Sequence, residues 1–141
     1  MRDFSTPRVY IFSAYKANQG AHRNHMDHCD LSCDLALAGF PYRECEGSYQ
    51  GVREESFIVT GALAGPTVRA LARLHNQESY LVIAEHDRTA YLVDPLSGYH
   101  THLGRFTTHG PNEPDCDAWT LCDGTYYVVN PTNGVDLPEG L

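Results

Sequence analysis

No stretch of the chain approaches the roughly 18 consecutive apolar residues that a membrane-spanning helix needs. The first residues, Met1 to Pro7, lack the apolar centre of a secretory signal. Bases are scarce: ten Lys and Arg stand against eighteen Asp and Glu, a net charge of -8. That shortage argues against a nucleic-acid binder that works by neutralising phosphates. It suits a cationic ligand or plain solubility. The five cysteines are odd in number and irregular in spacing, which implies no closed disulfide framework and fits a reducing cytoplasm. There is no internal repeat, no low-complexity run, no Ser-His-Asp order and no Cys-His nucleophile pattern. Gly47, Gly51 and Gly61 are too dispersed for a dinucleotide-binding loop. Composition alone leaves the function open.

What is present reads as one α+β domain spanning residues 1–141. A chain of 141 residues with 42% apolar and 20% charged residues buries roughly two-thirds of its unfolded surface without metal or disulfide. Arg8 to Tyr15 is a continuous apolar run that suits a strand covered on both faces. A helix is predicted over Ala21 to Ala38, stopped by Gly39 and Pro41. Met26, Cys29, Cys33, Ala36, Leu37 and Phe40 share one face, and Leu31 and Leu35 lie nearly opposite. The two-sided pattern hints at a subunit contact.

Tyr42 to Gly47 and Glu55 to Thr60 are the next strands, joined by a turn over Gly47 to Gly51. Pro66 starts a second helix, with Val68, Leu71, Ala72 and His75 facing inward. Ser79 to Ala84 and Thr89 to Val93 form a hairpin. Short strands follow at Leu121 to Cys122 and Tyr126 to Val129, and 130–141 reads as a loose tail. The order β-α-β-β-α-β-β predicts a ferredoxin-like sandwich, with both helices on one sheet face and extra C-terminal strands.

Three constellations are candidates for chemistry. His22, His25, Cys29 and Cys33 form a row on the first helix with His28 nearby, a possible ligand set for a soft divalent metal. The absence of any CxxC or HExxH pattern favours small buried cysteines and solvated histidines, so no metal is expected. Glu54 and Glu55 open a strand. Adjacent strand residues point to opposite faces, so one glutamate faces a site and the other does not. Asn76-Gln77-Glu78-Ser79 sits at a helix-to-strand junction, a common position for ligand groups and equally for a polar cap.

The order of short motifs resembles the phage S-adenosylmethionine lyase family, long called SAM hydrolases. It runs through Ser13-Ala14-Tyr15-Lys16-Ala17-Asn18 after the first strand, Gly47-Ser48-Tyr49, and Glu54-Glu55-Ser56-Phe57-Ile58-Val59. It continues through Arg69-Ala70-Leu71-Ala72-Arg73-Leu74 and Gln77-Glu78-Ser79-Tyr80-Leu81-Val82. The likeness covers about Val9 to Leu92, with a further echo at Leu103-Gly104-Arg105-Phe106, so that 8–106 forms the family-like core.

The resemblance implies a cytoplasmic homotrimer of ferredoxin-like protomers, similar to PII signalling proteins, with the active site between subunits and no cofactor. It implies cleavage of S-adenosylmethionine to methylthioadenosine and homoserine lactone, which deprives restriction systems of a methyl donor. Glu54, Glu55 and Tyr49 are then the expected catalytic residues. Gln77 and Glu78 serve the substrate amine or ribose, and the backbone of Ser13, Ala14 and Tyr15 lines the adenine. No nucleic acid or membrane partner is expected. The rival readings are a hydrolase of the same substrate, a non-enzymatic sponge, and an acidic protein-inhibitor or nucleic-acid mimic.

Overall fold

The computed structural model describes residues 8–16, 18–49, 51–61, 63–116 and 118–131. The expected tail lies, from 132 onward, outside them. The elements are β1 (Arg8–Phe12), α1 (Ala21–Ala38), β2 (Tyr42–Tyr49), β3 (Val52–Thr60), α2 (Gly65–Leu74), β4 (Tyr80–Ala84), β5 (Thr89–Val93), β6 (His100–Gly110), β7 (Trp119–Cys122) and β8 (Thr125–Asn130).

The eight strands form one closed antiparallel barrel in the order β1-β3-β2-β7-β8-β6-β5-β4, with β4 returning to β1. This overturns the ferredoxin-like sandwich and, with it, the PII-like protomer. An open sheet β4-β1-β3-β2 would end on two unpaired edges. Instead β7 pairs with β2 and β5 pairs with β4, and closure leaves no edge exposed.

The side chains explain why an open sheet would fail. Successive strand residues alternate faces; β1 and β4 are apolar on both, and β3 on its outer face and at Ile58 of its inner one. Tyr10, Phe12, Phe57, Val59, Tyr80 and Val82 turn outward and pack with Leu31 and Leu35 of α1 and Val68 and Ala72 of α2. Ile11, Ile58, Leu81 and Ile83 turn inward, where they meet Cys45, Ala90, Phe106, Cys122 and Tyr127 inside the barrel. Each large apolar side chain buried this way contributes about 1.5–3 kcal/mol. A two-layer sandwich would leave the second set in water.

Several local expectations change as well. The barrel-facing side of α1 is Asn24, His28, Leu31 and Leu35. Cys29 and Cys33 are exposed, as are Met26 and Leu37, so the larger apolar face is the outer one. The predicted turn over Gly47 to Gly51 is mostly strand: β2 runs to Tyr49, β3 begins at Val52, and Gly47 pairs with Glu54. The sequence gives no warning of β6, whose His-Thr-His-Leu-Gly-Arg-Phe-Thr-Thr-His-Gly composition has no apolar run. It joins β5 to β8 and makes closure possible.

Gly104 is the tightest point of that closure. Its φ is +147°, and a Cβ there would stand 2.1 Å from the Asn130 carbonyl oxygen. Only glycine meets both constraints. Gly104→Ala is expected to cost more than about 2 kcal/mol of folding free energy. Thermal denaturation should show a midpoint lowered by about 5 °C or more, and an unchanged midpoint would contradict this account of closure.

Candidate active site

A cavity of about 680 Å³ opens at one end of the barrel, inside the roughly 300–1,000 Å³ range of small-molecule sites. It lies where β1 and β2 finish and β3 and β4 begin. Its inner wall is apolar, with Ile11, Leu81, Leu103, Phe106 and Val129 among the lining residues. Polar groups gather nearer the chain segments that enter and leave this end: Ser13, Lys16, Glu54, Asn76, Gln77 and Glu78.

Strand alternation separates the two glutamates. Gly47, Glu54 and Thr120 occupy paired positions across three neighbouring strands, as Cys45 and Ser56 do across two. Glu54 therefore shares the inward face with Ser56 and Ile58, and it lines the cavity. Gly47 opposite it has no side chain, which leaves room beside the carboxylate. Burial raises the Glu54 carboxyl above its ordinary pKa, because a low-polarity wall disfavours the charged form.

Glu55 points to the outer face, toward α1. Its Oε2 accepts a hydrogen bond from the Tyr15 hydroxyl at 3.0 Å and lies 3.7 Å from His28 Nε2. His28 Nε2 is also 2.9 Å from Glu44 Oε1, and its ring stacks on Phe57 at 4.3 Å between centroids. This outer network fastens α1 to the barrel wall behind the cavity. Burial raises the Tyr15 hydroxyl pKa, and the Glu55 carboxylate it donates to adds to the shift.

The loop after β1 forms part of the rim. Ser13 Oγ donates to the Glu55 carbonyl at 2.7 Å and accepts from the Tyr15 amide at 2.9 Å. Gln77 Nε2 donates to the Tyr15 carbonyl at 3.2 Å, joining this loop to the segment before β4. Asn76, just upstream, has a left-handed backbone with φ 54°.

Of the residues expected from sequence, Ser13, Tyr15, Glu54, Gln77 and Glu78 all line the cavity. Ala14 does not; it is buried in the cluster between helices and barrel. Glu55 lies on the far side of the wall. Tyr49 ends β2 opposite Val52, and its side chain lies outside the described structure. All of the lining residues come from one chain. Among the described residues no three His, Cys, Asp or Glu side chains form a metal-binding group. In the proposed metal row, His28 turns inward while His25 and Cys29 stay together on the exposed side, 3.7 Å apart.

Sequence reasoning missed Ser56, Leu103, Phe106 and Trp119 as lining residues. Ser56 carried a signal as part of the Glu54-Glu55 motif, and Phe106 and Leu103 through the Leu-Gly-x-Phe echo; Trp119 carried none. Lys16 was visible as part of a motif but without a role.

A model of the S-adenosylmethionine lyase family matches residues 10–130 of the chain. No curated protein matches its sequence.

A group whose folded pKa is raised by burial opposes its own ionisation. For Glu54 the folded state is favoured at low pH, and that advantage is lost as pH rises through the folded pKa. Glu54→Gln removes the cost of the buried charge. Its thermal midpoint at neutral pH is expected to equal or exceed that of the parent, with the difference vanishing in acid. A lower midpoint at neutral pH would show that the carboxylate is instead a stabilising partner.

Proposed function

The chain belongs to the S-adenosylmethionine lyase family, and from that premise we propose that the Glu54 cavity binds the substrate folded upon itself. The substrate's own α-carboxylate oxygen then attacks its γ-carbon. A C–O bond forms as the C–S bond breaks, and the bonding pair passes to sulfur, which leaves as neutral methylthioadenosine. The other product is homoserine lactone. The step needs no proton and no external nucleophile. Folding the substrate into a near-attack shape supplies up to about 7–11 kcal/mol.

The carrying observation is one carboxylate, Glu54, on an otherwise largely apolar inner wall. A negative carboxylate and a positive sulfonium neutralise each other as the ring closes. An environment of low polarity disfavours the separated charges more than the transition state. A protein carboxylate against the sulfur would work the other way, stabilising the ground state. Glu54 therefore serves the α-ammonium and orients it. Gln77 and Glu78 at the rim take the remaining amine or ribose groups. The backbone of Ser13 and Tyr15 faces the adenine, and Tyr49 is kept as a further catalytic candidate. The biological reading is removal of the methyl donor in a host cytoplasm, as a phage would use against restriction. A homotrimer would cover the exposed Met26 and Leu37 of α1, which solution mass tests.

Incubation of pure protein with S-adenosylmethionine is expected to release methylthioadenosine, with lactone detected before homoserine. Homoserine appearing first would indicate water as nucleophile, and intact substrate would indicate a sponge. Glu54→Gln should lower kcat/KM roughly 100-fold, whereas Glu55→Gln, on the outer face, should cost only a few-fold. Near-native rates for Glu54→Gln would remove it from the site.

A further inference from the structure

Among the described residues the cavity lining contains one cationic side chain, Lys16, beside the two carboxylates Glu54 and Glu78. A cavity built only to attract a cation has no use for a lysine, which repels one. Nor does Lys16 neutralise either glutamate: it forms no salt bridge with a described residue. Lys16 does help to hold the Asp27 carboxyl of α1 low, to a lesser degree than the hydrogen bond from Gln19.

The position of Lys16 is nevertheless fixed. Asn24, a buried polar residue in the first turns of α1, grips it from both sides of its backbone. Asn24 Oδ1 accepts from the Lys16 amide at 3.0 Å and from Gln19 Nε2 at 2.9 Å. Asn24 Nδ2 donates to the Lys16 carbonyl at 3.2 Å. A buried side chain whose hydrogen bonds are spent on two residues of one loop, Lys16 and Gln19, is an anchor. It carries the ordering cost of the loop before any ligand arrives.

We propose that Lys16 is the specificity residue for the substrate's α-carboxylate, held in register by Asn24 as a positioning residue. This rests on the reading of the cavity as the S-adenosylmethionine site. An α-amino acid end needs one anionic and one cationic protein partner. Glu54 answers the ammonium and Lys16 answers the carboxylate. A lysine ammonium is a point charge that engages one oxygen and leaves the second lone-pair set free to attack. Because negative charge on the carboxylate shrinks as the ring closes, the contact is stronger with bound substrate than with the transition state. Its loss therefore falls in KM, with kcat held or raised.

The test compares S-adenosylmethionine with its decarboxylated analogue, which keeps the sulfonium and amine but has no carboxylate. The analogue is used as a competitive inhibitor of methylthioadenosine release. Lys16→Met should raise KM for the substrate roughly 10- to 100-fold and leave the analogue's inhibition constant unchanged or lowered, since only repulsion of the cation is lost. Lys16→Arg should recover most of the loss, and Asn24→Ala should reproduce part of it. Equal shifts for both molecules, or no shift for either, would overturn the inference. Failure of the underlying reaction looks different: the parent protein yields no methylthioadenosine. In that case calorimetric titration of parent and Lys16→Met with the same two molecules still decides the matter. A parent that does not prefer the carboxylated form refutes the role of Lys16, and a preference abolished by Lys16→Met supports it.

Discussion

Two neighbouring strands, β1 and β4, are apolar on both faces, β3 beside them adds Ile58 to the inner one, and everything else in the molecule answers to that. One face can be covered by two helices. The other has no second layer to meet, so it must meet itself. Strands β5 to β8 carry the sheet around until β7 reaches β2, and the inward side chains of β1, β3 and β4 find partners across the lumen. Closure also solves the edge problem, since an open four-stranded sheet would present two ladders of unpaired backbone groups.

The site follows from the same geometry. A barrel of eight strands leaves interior space just wide enough for side chains or one small ligand. Here packing fills part of the lumen and leaves a cavity at one end. Because the wall is one residue thick, groups on its two sides belong to different systems. Glu54 and Ser56 face the cavity, while Glu55 and Phe57 face α1 and His28. The outer network of Tyr15, Glu55, His28 and Glu44 steadies the loop that brings Ser13 and Lys16 to the rim. A substrate pocket and the clamp of a helix are thus coupled through adjacent residues of one strand.

Much of this was legible residue by residue. The β-branched and aromatic runs placed β1, β3, β4 and β5, and Gly39 with its left-handed φ of 82° ended α1 as expected. The alternation rule required Glu54 and Glu55 to separate. The double-sided apolar character of β1 was also visible, and it already conflicted with an open sandwich, whose second face would be wet. What concealed the answer was β6. Its histidines and threonines show no period, because a strand that closes a small barrel is stabilised by its neighbours rather than by its own composition. The inner face of α1 was misjudged for a related reason. His28 and Asn24 are polar, yet they are buried because the barrel wall and the loop after β1 supply their partners.

The sequence by itself determined where most chain segments are helical or extended, because those preferences rest on local sterics and on side-chain periodicity. It also determined that one of two adjacent glutamates would face away from any site, since strand geometry permits nothing else. Only the tertiary structure decided which one, and that the pocket is the end of a closed barrel. Both depend on pairings between residues far apart in the chain, such as Gly47 with Thr120 and Arg105 with Asn130. No local preference encodes such pairings; the need to bury a second apolar face does.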